Sequence, residues 1–97
     1  MHTLTAIIRA LKGHEELVRA ELLKVAAFVA EQERDTVGFY VAQPPDYPCV
    51  FTTYERFTDS AAMDRHNAGA GSTGFFAAAG DALDGGVTLV TAIKIAP

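Results

Sequence analysis

Two residues of this 97-residue chain, His66 and Glu55, carry side chains suited to moving a proton. Imidazole is the one side chain that ordinarily titrates near neutrality, and a carboxylate beside it can orient the ring and stabilise its charge. In one reading His66 is a general base, or a hydrogen-bond donor to a developing oxyanion, with Glu55 orienting the ring. In the other, Glu55 bonds His66 or a helix N-terminus and pins a helix to a sheet, the commoner outcome for a buried ion pair. One histidine and one carboxylate fall short of a metal site. Phe51, Phe57, Met63, Phe75 and Phe76 could line a flat aromatic-binding cleft, although large apolar residues at such spacing are usually core. Tyr40 is placed to reach the same pocket. Tyr54 falls on the opposite strand face from Glu55.

These groups must be held by a small set of elements. Residues 3–10 alternate as a strand, with Leu4, Ala6 and Ile8 on one face and Thr3, Thr5, Ile7 and Arg9 on the other. From Glu15 to about Gln32, Val18, Leu22, Val25 and Val29 form a helical stripe. Val37 to Gln43 and Cys49 to Phe57 are strands, joined across Pro44-Pro45-Asp46-Tyr47-Pro48 as a hairpin with a loop of about five residues. Thr58 or Asp59 can cap a short helix from Ser60 to about Asn67. Ala68-Gly69-Ala70-Gly71 has the composition of a flexible break. A further helix from Ser72 or Thr73 runs through Leu83, is ended by Asp84-Gly85-Gly86, and is followed by a last strand, Val87 to Ile95. The order β-α-β-β-α-β defines an α+β, ferredoxin-like domain with an antiparallel sheet and helices on one face.

Composition narrows the function classes. The net charge is −4, with no basic run, which argues against nucleic-acid binding. No apolar stretch approaches the ~20 residues of a spanning helix, so no membrane partner is expected. Met1-His2-Thr3-Leu4 lacks the basic start and apolar run of a signal peptide. The lone Cys49 cannot form an internal disulfide, as suits a reducing cytoplasm, and no His or Lys lies nearby in sequence to activate it. Yet 49% of the residues are hydrophobic. A chain this short has a limited core, so a second copy packed against the free sheet face would be the simplest cover for Ile7, Val50, Tyr54 and Val90.

Glu33-Arg-Asp-Thr36, Tyr40, the run Val50-Phe-Thr-Thr-Tyr-Glu-Arg-Phe57 and Ala61-Ala-Met-Asp-Arg-His66-Asn67 together resemble the antibiotic biosynthesis monooxygenase domain family. Glu55, Phe57 and His66 match its Glu-x-aromatic followed by a helix with a histidine, and the resemblance spans nearly the whole chain. It implies a ferredoxin-like fold that dimerises into an α+β barrel. It also implies a cofactor-independent oxygenase acting on a small electron-rich aromatic, such as a quinol or an anthrone. The departures bear on chemistry. The chain has no Trp, where the family often has one after the Glu. The Asn on strand one and the His on the last helix used by haem-degrading relatives are missing, so haem degradation is disfavoured. Arg34-Asp35 replaces a common Pro-Gly, and Ala70-Gly71-Ser72 stands where a second His is common. Two rival functions fit the same scaffold: a muconolactone-type isomerase or lyase, and a non-enzymatic binding or stress-related protein.

Overall fold

The computed structural model describes residues 1–97. Strand β1 (His2–Arg9) leads into helix α1 (Glu15–Gln32), then strands β2 (Thr36–Ala42) and β3 (Val50–Phe57). Helices α2 (Ser60–Ala68) and α3 (Ala70–Ala79) follow, then a 3-10 turn (Gly80–Ala82) and strand β4 (Thr88–Ile93). The strands form one antiparallel sheet in the order β2-β3-β1-β4. β3 lies between β1 and β2, the split arrangement of a ferredoxin-like α+β fold, and the sheet does not close.

The face carrying Leu4, Ala6, Ile8, Phe51 and Phe57 is buried against the Val18, Leu22, Val25 and Val29 stripe of α1 and against Phe75 and Ala79 of α3. The alternation of strands and the helical stripe are therefore what assemble the core. Cys49 packs at its margin and donates its thiol to Glu15 Oε2 at 3.4 Å. Desolvation and that carboxylate push the thiol pKa up, the opposite of what a nucleophile needs.

Three boundaries differ from the sequence expectation. The segment 68–71 is not a flexible break but a tight corner. Gly69 closes α2 by donating its N–H to His66 O at 3.1 Å, and it also stands at the N-cap of α3. A Cβ at Gly69 would lie 2.8 Å from Arg65 O, and one at Gly71 would lie 2.8 Å from Phe28 Cδ1. Small residues here let the chain turn tightly on the end of α2 and pass close to the Phe28 ring rather than loosening it. α3 consequently begins at Ala70 and ends at Ala79, with Leu83 bridging to Ala10 instead of continuing the helix. The hairpin loop is longer than five residues, because pairing of β2 and β3 stops at Ala42 and Thr52.

The free face of the sheet carries Tyr40 and Tyr54, stacked with centroids 6.3 Å apart, together with Ile7, Val50 and Val90. All six residues of β4 are exposed.

Candidate functional site

His66 sits in the last turn of α2, where the negative end of the helix dipole favours a cation. The helix is started by Asp59, whose carboxylate accepts from Ala62 N at 2.8 Å. The imidazole is only 4% exposed. It lies between the rings of Phe57 and Phe39, at centroid distances of 5.4 and 5.6 Å, so its plane is fixed by packing.

Each ring nitrogen meets a carboxylate. Nδ1 is 2.7 Å from Glu33 Oε1 in hydrogen-bond geometry. Nε2 is 2.9 Å from Glu55 Oε1, an ion-pair distance without hydrogen-bond alignment, and 3.4 Å from Ser72 Oγ. Glu55 Oε1 and Glu33 Oε2 are buried with no hydrogen-bond partner. The remaining oxygens are anchored: Thr53 Oγ1 donates to Glu55 Oε2 at 2.7 Å, and Thr36 Oγ1 donates to Glu33 Oε1 at 2.9 Å. Burial alone would lower the His66 pKa, but Glu55 and then Glu33 outweigh it and hold the pKa above the ordinary 6.5. An imidazole so flanked is a stronger base than a free one, and once protonated it is stabilised on both sides.

An apolar cavity of about 300 Å³ reaches His66 and Glu55. Its walls include Leu4, Leu22, Phe39, Phe75 and Phe76, with Ser72 beside His66 at the polar corner. Phe75 and Phe76 meet edge to face at 5.2 Å. Phe76 is 52% exposed and Leu89, which also lines the cavity, 56%, so the cavity opens between α3 and β4. The volume is at the small end of ligand pockets, and one polar corner in an apolar chamber is their usual composition. No group of three or more His, Cys, Asp or Glu side chains is arranged to hold a metal ion.

The structure brings together His66, Glu55, Phe75 and Phe76 of the expected site residues. Tyr40 is a correction. It stacks on Tyr54 on the free face, and Phe39 is the β2 residue that enters the cavity. The reason is a bulge between Thr36 and Gly38, after which Phe39 pairs with Glu55 and Tyr40 with Tyr54. Phe51 is also corrected. It pairs with Ile8, toward the hairpin end of the sheet, and is 1% exposed within the core. Phe57 is fully buried against the His66 ring rather than lining the chamber, and Met63 is half-buried against the core. Glu33 and Ser72 escaped the sequence reading as site residues. Glu33 follows α1 directly and is 33 positions from His66, so only the tertiary fold, which brings the end of α1 beside the last turn of α2, reveals it. It shares the ring with Glu55: Glu33 makes the aligned bond at Nδ1, and Glu55 stands at ion-pair distance from Nε2.

No curated protein matches the chain. Among solved structures, that of an antibiotic biosynthesis monooxygenase superposes with a TM-score of 0.88 at 18% identity, covering 99% of this chain and 100% of the other. PA3566 from Pseudomonas aeruginosa gives a TM-score of 0.85 at 26% identity, covering 98% and 94%. Rv0793 from Mycobacterium tuberculosis gives 0.88 at 16%, covering 99% and 96%. The family model described as antibiotic biosynthesis monooxygenase matches residues 1–78, and the chain belongs to that family.

Proposed function

We propose that this single domain, residues 1–97, is a cofactor-independent monooxygenase that oxidises a small electron-rich aromatic, quinol or anthrone-like, with O2. The observation that carries this reading is the apolar cavity closed at one corner by His66 and Glu55. A ring carbon bearing two hydrogens, the CH2 of an anthrone or of the keto tautomer of a quinol, gives up one proton to the His66–Glu55 corner, leaving a delocalised anion. The anion reduces O2, and a carbon–oxygen bond forms. Loss of the second ring proton and cleavage of the oxygen–oxygen bond then release water and leave a carbonyl. One oxygen atom enters the product, the other leaves as water with both hydrogens, and the substrate supplies all the electrons. The protein's part is to bind the ring between Phe75, Phe76 and Phe39, exclude water and hold the proton.

Oxygen uptake with a panel of quinols and anthrones tests this. The wild type consumes O2, and His66→Gln is slower by roughly 100-fold or more, the usual range for a lost general base. Equal turnover in the variant removes His66 from the chemistry. The same corner can shuttle a proton without O2. Turnover of a lactone under anaerobic conditions would therefore point to the isomerase, and ligand binding without turnover to a binding protein.

The working form proposed is a homodimer joined through the free sheet face, supported by Tyr40, Tyr54 and Val90 lying exposed there beside half-buried Ile7. No helix is long and apolar enough to cross a membrane. A cytoplasmic setting is proposed on the single unpaired Cys49.

A further inference from the structure

His66 is the one side chain that lines two depressions of opposite character. One is the apolar cavity. The other is a polar groove of about 360 Å³ on the far side of the ring, lined by Gln32, Glu33, Arg34, Asp35, Thr36 and Arg65. Glu55 lines the cavity and not the groove, and Glu33 lines the groove and not the cavity. The ring spans the wall between them, with Nε2 toward Glu55 and Nδ1 toward Glu33, at 2.9 and 2.7 Å. The charged groups around it come from several neighbouring segments. Glu33 follows α1, Glu55 is on β3, Arg65 of α2 is engaged by Asp35 at 2.9 Å, Arg34 borders the groove, and α3 offers only the neutral Ser72.

We propose that Glu55, His66 and Glu33 form a proton path between the cavity and the polar groove, with Glu33 as its outer terminus. The path rests on the proton-abstracting reading of the cavity given above. A proton leaving the substrate arrives at Nε2, directly or through Glu55 Oε1. The Nδ1 proton passes to Glu33, whose carboxyl releases it to solvent in the groove. When the peroxide oxygen needs a proton, the same line runs inward, from Glu33 to Nδ1 and from Nε2 to the cavity. Each inward passage restores the tautomer that the outward passage changed, so the packed ring need not turn. Two protons leave the ring carbon and two reach the departing oxygen, so the path carries no net charge over a cycle. Glu33 never touches substrate; it is a positioning and relay residue acting through His66.

The deciding variant is Glu33→Gln, which keeps an acceptor for Nδ1–H but cannot take the proton. Two measurements apply. The first is exchange of the His66 ring N–H with solvent, followed by NMR, which needs no turnover. The path predicts slower exchange in Glu33→Gln, whereas a purely structural Glu33 predicts faster exchange as the site loosens. The second is kcat for O2 uptake in weak buffer. It is expected to fall by roughly 100-fold with KM unchanged, and to recover as imidazole, a diffusible proton carrier, is added. Glu33→Asp, which draws the carboxylate back by one methylene, is expected to give intermediate exchange, and it carries the test if the glutamine variant does not fold. Unchanged or faster exchange overturns the path, as does a loss of kcat that imidazole does not restore. If the wild type takes up no O2, the monooxygenase reading fails on its own and the exchange rates alone decide the path.

Discussion

The His66 ring couples stability to pH because its cation is bound better in the folded protein than in the unfolded chain. Its folded pKa is raised above 6.5, burial being outweighed by Glu55 and Glu33. A group with a raised folded pKa contributes fully below its unfolded value and loses that contribution as pH rises through the folded value. Thermal melts from about pH 6 to pH 9 should therefore show the wild type losing its advantage over His66→Gln as pH rises. A difference that stays constant across this range would mean that folding does not raise the pKa of the ring. At this scale the sequence was informative about type and poor about partners. His66 and Glu55 were legible as a pair because they match the Glu-x-aromatic and the helix histidine of the family that the sequence resembles, and the structure places them 2.9 Å apart. Glu33 was not, because its contact depends on where α1 stops relative to α2. Tyr40 and Phe39 exchanged roles for a similar reason. Alternation along residues 37–42 defines two faces, but only the bulge after Thr36 decides which one meets Glu55.

Among the elements, α2 is short, and its nine residues hold His66 at one end and the cap at the other. A helix of that length is marginal by itself, so its cap matters more than in a long one. Asp59 supplies the only side-chain cap at its N-terminus, to Ala62 N. Asp59→Ala should cost about 1 kcal/mol, a fall in Tm of about 4–8 °C for a chain of this size. Asp59→Asn should recover most of it, since the amide oxygen can still accept. Circular dichroism melts of the two variants check this, and equal Tm values for Asp59→Ala and wild type would show that tertiary packing alone holds α2. The elements themselves were the most legible feature of the sequence. The stripe Val18, Leu22, Val25 and Val29 located α1 between the residues observed, Glu15 and Gln32. The α2–α3 corner was misjudged because a Gly-Ala-Gly run has the same composition in a flexible linker and in a tight helix junction. What distinguishes them is the proximity of Phe28 and of Arg65 O, which are tertiary facts.

For the whole molecule, thirteen large hydrophobic side chains are exposed beside a core of fourteen buried ones. That balance is poor for an isolated small domain, but single exposed residues are ordinary and only contiguous ones argue for a partner. Tyr40 and Tyr54 adjoin on the free face, and Val90 lies in the same row beyond Thr5, with half-buried Ile7 and Val50 on the same face. Leu89 and Ile93 are exposed on the opposite, helix-side face of β4, with Leu89 at the cavity. Stable interfaces are rich in tyrosine and poor in charge at their centre, and the stacked pair at 6.3 Å presents a flat, rigid anchor of that kind. The face is not wholly apolar: Arg9 and Arg56 occupy it as well, so it has a charged margin. A homodimer through this face should give twice the chain mass of 10.3 kDa by light scattering at micromolar concentration. Tyr40→Lys combined with Tyr54→Lys should shift the mass toward the monomer, because four ammonium groups would meet at a two-fold interface. Neither tyrosine touches the core or the cavity, so the double variant should keep its helical circular dichroism. A wild-type mass equal to one chain would leave the tyrosine stack exposed to solvent and remove the sheet-to-sheet dimer. An unchanged dimer in the double variant would move the interface elsewhere, and β4, exposed along its whole length, would be the next face to probe.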